Sequence, residues 1–221
     1  MDLSNSFEVN RPIAETWGVL TDVERIAPCL PGAQLQEVEG EEYRGIVKVK
    51  VGPITAQYKG AASFVEKNDA DFKAVLNGKG RDTRGAGNAE ALITAKLEPV
   101  SDTTTRVNVD TDLKITGKVA QFGRGVMADV SANLMDQFAE NLAAMLAEEG
   151  QGDAPGGDGE EVAEPEATPP SDEPRRIDMP EPEAVDLLDA AGTPILKRVA
   201  PILAVIVVLL ILRRVMRKKK S

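Results

Sequence analysis

Apolar and polar residues alternate one for one over several stretches of the first half of the chain, a period that admits little except β-sheet. In IVKVKV (46–51), Val47, Val49 and Val51 fall on one side, and Lys48 and Lys50 on the other. Tyr58, Ala62 and Phe64 share a side, as do Phe72, Ala74 and Leu76. Ala89, Ala91, Ile93, Ala95 and Leu97 follow, then Val107, Val109, Leu113 and Ile115. Such alternation implies a sheet with one buried and one wet face. Turn residues separate the stretches at Gly52-Pro53, Asn68-Asp69, the Gly78 to Gly87 segment and Ser101-Asp102, which favours an antiparallel meander.

Two segments depart from this period. Pro12 to Thr21 reads as a short helix, with Ile13, Trp17 and Leu20 on one side. Lys118 to Glu148 reads as a long one, with Val119, Phe122, Val126, Met127, Val130, Leu134, Phe138, Leu142 and Met145 at three- and four-residue steps. A one-sided apolar sheet needs a cover, and this helix is the long one available. Many inward strand positions are small: Gly60, Ala62, Ala74, Gly78, Ala89, Ala91 and Ala95. Small residues facing a long helix leave a gap unless something fills it. The candidate lining is Trp17, Leu30, Val47, Val49, Tyr58, Phe64, Phe72, Leu76 and Ile93, with Phe122, Val126, Met127, Val130, Leu134 and Phe138 from the helix. The alternative is that these residues simply pack as a filled core.

Charge is unevenly distributed. Residues 1–150 carry a net −7, residues 151–190 a net −11 and residues 191–221 a net +8. A net-negative domain offers phosphates no overall field, which argues against nucleic acid as its partner. The chain has no histidine and one cysteine, Cys29. A disulfide framework, the commonest general base and the commonest metal ligand are therefore missing, and neither catalysis nor a metal site is expected. Glu24, Asp82, Glu90, Asp110 and Asp112 show no pairing and are assigned to solvated faces. The Gly78–Gly87 segment looks like a phosphate loop, but no helical pattern follows it. It reads as a glycine-rich hairpin exposing Arg81 and Arg84, or as a contact surface for a partner or for lipid headgroups. The N-terminus has no secretory-signal pattern, so a cytoplasmic domain is expected.

Residues 150–192 are rich in Pro, Glu, Asp, Gly and Ala and read as a disordered acidic linker. Residues 193–221 read as a membrane-anchoring helix with a basic end. Val199 to Leu212, containing Ile202, Leu203, Val207 and Leu210, has no polar side chain and would span about 21 Å as a helix. That is short of the ~30 Å hydrocarbon core. Lys197 and Arg198 precede it; Arg213, Arg214, Arg217, Lys218, Lys219 and Lys220 follow. Basic groups on both sides suit the cytoplasmic surface of a membrane, with the tail either tail-anchored or inserted shallowly.

The residues between the first strand and the first turn of the long helix are familiar in kind. DVERIAPCLPG (22–32), VGP (51–53), GKG (78–80), GAG (85–87) and GKVAQFG (117–123) resemble the carbon monoxide dehydrogenase CoxG family, of the START-like (SRPBCC) helix-grip superfamily. The resemblance covers about residues 1–148. It implies an α+β fold in which a curved antiparallel sheet wraps a long C-terminal helix around an apolar tunnel, within a domain of residues 1–149. It also implies partnership with a molybdenum-containing carbon monoxide dehydrogenase. A tethered carrier of a respiratory quinone such as menaquinone, or of a lipid, follows as the expected role, with no covalent cofactor. The alternatives are an adaptor that only recruits the dehydrogenase to the membrane, and a START-like cyclase or hydrolase.

Overall fold

The computed structural model describes residues 1–151, 174–180, 182 and 185–186. In chain order they form β1 (Asp2–Val9), α1 (Ile13–Thr21), α2 (Val23–Ile26), a 3-10 turn (Ala27–Cys29), β2 (Ala33–Glu39), β3 (Glu42–Val51), β4 (Ile54–Asn68), β5 (Lys73–Asp82), β6 (Asn88–Ser101), β7 (Thr104–Ile115), a second 3-10 turn (Val119–Phe122), α3 (Gly123–Gln151), β8 (Arg175–Arg176) and β9 (Val185–Asp186). The strands form one sheet in the order β1-β7-β6-β5-β4-β3-β2-β8, with β9 on β3. All pairings are antiparallel except β9 with β3. Hairpins link β2 through β7 in sequence, while β1 closes against β7.

Register confirms the alternation. Val47 faces Tyr58, Phe64 faces Leu76, Leu76 faces Ile93, and Leu97 faces Val107. These side chains share the inward face. Bulges at Leu35/Glu37, Phe64/Glu66 and Pro99/Ser101 add local twist. Most of the buried apolar residues fall into two separate clusters. The larger contains Val9, Trp17, Val19, Cys29, Ala74, Leu97, Val107, Val109, Phe138, Leu142 and Leu146. The smaller contains Val51, Ala56, Val119 and Met127, with Met1, Ile115 and Phe122 packed against it.

The long helix differs from the sequence expectation at its start. It opens as a 3-10 turn and then restarts at Gly123, whose φ of +75° is a conformation favouring glycine. The glycine-rich segment differs too. β5 runs through Gly78 and Gly80 to Asp82, so only residues 83–87 turn. Gly45, Gly60 and Gly80 lie opposite one another across three strands. A Cβ at Gly60 would stand 1.9 Å from the Lys79 carbonyl oxygen, and one at Gly45 would stand 2.2 Å from that of Gln34. These strands approach more closely than side-chain-bearing residues permit.

The largest difference lies in the segment read as a disordered linker. Arg175 and Arg176 extend the sheet beyond β2, opposite Val38 and Glu37. The Ile177 N–H donates to the Gln36 carbonyl (2.9 Å), Gln34 Nε2 donates to the Met179 carbonyl (2.5 Å), and Arg175 pairs with Glu24. Val185 and Asp186 continue beside Val49 and Lys50. Composition predicts that this stretch buries little apolar area, and it docks all the same because an open strand edge offers backbone hydrogen bonds regardless of side chain. The apolar run and its basic flanks, Lys197 through Lys220, lie outside the described residues. Among the described residues, no helix is long and apolar enough to cross a membrane.

The two kinds of inward glycine give opposite expectations. Gly60→Ala should destabilise the fold by about 2–4 kcal/mol in urea denaturation, because a backbone carbonyl occupies the Cβ position. Gly78→Ala, with nothing within 4 Å of its Cβ, should change stability by less than about 1 kcal/mol.

Candidate functional site

Two adjacent rows of inward residues between the clusters carry little side chain. One row runs Gly45, Gly60, Gly80, Ala89 and Ile115; the next runs Tyr43, Ala62, Gly78, Ala91 and Leu113. On one flank, Phe64, Leu76 and Ile93 pack against the larger cluster; on the other, Val49 and Tyr58 pack against the smaller. Inward alanines under the clusters are sealed: Ala56 is 4% exposed and Ala74 is 3% exposed. Ala62, Ala89 and Ala91, on the same face, are only half-buried. α3 packs along β1 and against the Ala27–Cys29 turn, and Asn5 Nδ2 fixes it to β1 by donating to Ser131 Oγ at 2.7 Å. Side chains of α3 join both clusters, and in the band of small residues between them a groove is left open over Gly78.

The expected lining residues divide between the ends of this groove. Trp17 and Phe138 are core members of the larger cluster. Trp17 meets Phe72 edge to face at 5.9 Å and donates its Nε1–H to Asp69 Oδ1 at 2.7 Å; Phe138 meets Phe7 at 5.7 Å. Phe64, Phe72, Leu76 and Ile93 pack on that cluster. Met127 is buried in the smaller one, where Val49, Tyr58, Phe122, Val126, Val130 and Leu134 gather. Val47 is half-buried opposite Tyr58, and Leu30 stands 42% exposed just beyond the Ala27–Cys29 turn. Sequence reasoning missed Tyr43. Its ring meets Phe64 at 6.3 Å beside the small-residue band. Its inward parity with Val47, two strand steps beyond Gly45, was the available signal.

The groove holds little chemistry. Burial raises the Tyr43 hydroxyl above its ordinary pKa, and the carboxylates of Glu24, Asp22 and Glu41 add to the effect. Burial raises Tyr58 as well, with Asp82 contributing. Both phenols stay neutral and able to donate a hydrogen bond. Cys29 is buried with its Sγ 3.7 Å from Met145 Sδ, and its carbonyl accepts from Asn141 Nδ2 at 3.0 Å. Burial, then Glu149, pushes its thiol upward, so it is held protonated and packs as a small apolar residue. Asp82, expected on a solvated face, is instead buried and organises the turn after β5. Its Oδ1 accepts from the N–H groups of Arg84 (2.9 Å) and Ala86 (3.0 Å).

Comparisons with known proteins agree with this architecture. The family model described as CoxG, the G subunit of carbon monoxide dehydrogenase, matches residues 6–147. A conserved protein from Geobacillus kaustophilus has a similar structure, with a TM-score of 0.61 at 20% identity over 67% of this chain and 96% of that one. Norcoclaurine synthase from Thalictrum flavum gives a TM-score of 0.48 at 11% identity over 67% and 87% of the two chains. A Thermus thermophilus protein gives 0.47 at 15% identity over 67% and 99%. The first likeness shows the helix-grip-like fold; the other two are too distant to carry an argument. No curated protein matches the chain.

The Asp82 turn gives a pH test. Hydrogen bonds from the Ala86 and Arg84 amides hold its carboxyl below the ordinary carboxylate range, against the opposing effect of burial. A depressed pKa stabilises the fold fully above the unfolded value near 4, and that stabilisation is lost as pH falls through the lower folded value. Asp82→Ala should cost about 1–3 kcal/mol at pH 7 in chemical denaturation, and the gap from wild type should narrow steadily as pH drops below about 4.

Proposed function

The chain belongs to the carbon monoxide dehydrogenase CoxG family, and from that premise we propose that it is a non-catalytic, membrane-tethered carrier of an apolar ligand. The ligand is a respiratory quinone such as menaquinone, or a lipid. Its delivery is to or from a molybdenum-containing carbon monoxide dehydrogenase at the cytoplasmic side of the membrane.

The observation that carries this reading is the unsealed band between the clusters. Gly78 faces open space, and half-buried Ala62, Ala89 and Ala91 surround it. Apolar surface left half-covered by the fold welcomes an apolar guest. Each CH₂ moved out of water contributes about 0.8 kcal/mol, but extraction from a bilayer offsets most of that. Exchange near balance suits a reversible carrier. The neutral phenols of Tyr43 and Tyr58, at the flanks of the band, are the donors available to a carbonyl-bearing head group. The apolar tail supplies the tether and its basic ends the attraction to anionic lipid.

A leucine at Gly78 tests the proposal, because its side chain enters the groove rather than the backbone. Wild-type chain purified from its native host should yield a quinone or lipid in an organic extract analysed by mass spectrometry. Gly78→Leu should keep the far-ultraviolet circular dichroism and lose about tenfold or more of that ligand. Equal ligand in both proteins, or none in wild type, would leave only the adaptor role.

A further inference from the structure

A second surface lies on the opposite side of the sheet. A cleft of about 750 Å³ has Lys59, Lys79, Arg81, Glu90 and Lys114 among its lining residues and no residue of α3. Its longer polar side chains all occupy outward strand positions, so the walls are those side chains and the floor is the strand backbone at Gly80 and Ala89. Four cations, Lys59, Lys79, Arg81 and Lys114, meet one carboxylate, Glu90, which pairs with Lys79 at 3.3 Å. Among the described residues, Lys59, Arg81 and Lys114 have no ion-pair partner. A local excess of positive charge thus stands on a domain whose net charge is −7.

The docked strap decides what faces this cleft. It starts beside α2, where Arg175 pairs with Glu24, and reaches Val49 and Lys50 at the end of β3 that holds the smaller cluster. The cleft lies at this same end, next to Ile115. Only twelve residues separate Asp186 from Val199, the first residue of the apolar run. A chain of that length reaches at most about 40 Å. The acidic residues 152–173 are the competing occupant within the chain. They leave α3 beside α2, where Glu149 pairs with Arg25, and return to Arg175 at the same place. Reaching the far end of the ~40 Å helix and back would take all of their extended length, about 75 Å.

We propose that this outward basic cleft is a docking surface for the phosphate headgroups of an anionic bilayer, held against it by the strap. The proposal rests on the tethered-carrier reading.

Amine acylation of the full chain, read lysine by lysine by mass spectrometry, tests it on vesicles of phosphatidylcholine alone and on vesicles with added phosphatidylglycerol. The anionic vesicles should slow labelling of Lys59, Lys79 and Lys114 about fivefold relative to the neutral ones. Lys67 and Lys96, at the other end of the sheet, should be unaffected. Flotation of the chain with equal labelling on both vesicles would overturn the cleft assignment and leave the tether intact. Protection that needs added carbon monoxide dehydrogenase would give the cleft to that protein instead. Failure to float with either vesicle would overturn the tether and the cleft together.

Discussion

The centre of the inward face carries only glycine and alanine, and the rest of the molecule is arranged around that band. At Gly60 and Gly45 a neighbouring carbonyl occupies the space where a Cβ would sit, so the strands come closer there than other residues allow. At Gly78 the opposite holds: the missing side chain leaves room. The same two rows thus bring the strands close together and keep the core in two pieces. Ordinary side chains there would let one continuous core form beneath α3.

The proposed carrier role calls for affinity without reactivity, and the residues suit both. The clusters at the two ends supply rigid aromatic and aliphatic walls, from Phe64 and Leu76 to Tyr58 and Val49. The sole thiol is buried and held protonated, and no histidine exists to activate it. The 3-10 turn carrying Cys29 is pinned to α3 by Asn141, which leaves exposed Leu30 on a fixed support beside the packed core. The strap adds a positional constraint: by pairing with β2 and β3 it carries the chain to the end of β3 that holds the smaller cluster.

Much of this was legible in the sequence, for identifiable reasons. Period-two alternation placed Val47, Tyr58, Leu76 and Ile93 on one face, and the i, i+3/i+4 stripe marked the long helix, because both follow from backbone geometry alone. The small inward residues marked the band in which Gly78 faces open space. What the sequence hid was non-local. Gly78 and Gly80 look like turn residues in isolation, and only pairing with β4 and β6 shows them inside a strand. Trp17 and Phe72 suggested a lining, yet Asp69 and edge-to-face packing draw them into the core. Arg175–Met179 looked unstructured because composition reports side-chain burial, whereas this segment is held largely by backbone hydrogen bonds to an open edge.

Electron density over Gly78 and Ala91, in a crystal of the chain as purified from its own cells, bears most directly on this account. Continuous elongated density between Tyr43 and Tyr58, not attributable to protein, is the predicted result. Val130 and Leu134 packed directly onto the small residues, with no density between helix and sheet, would contradict it.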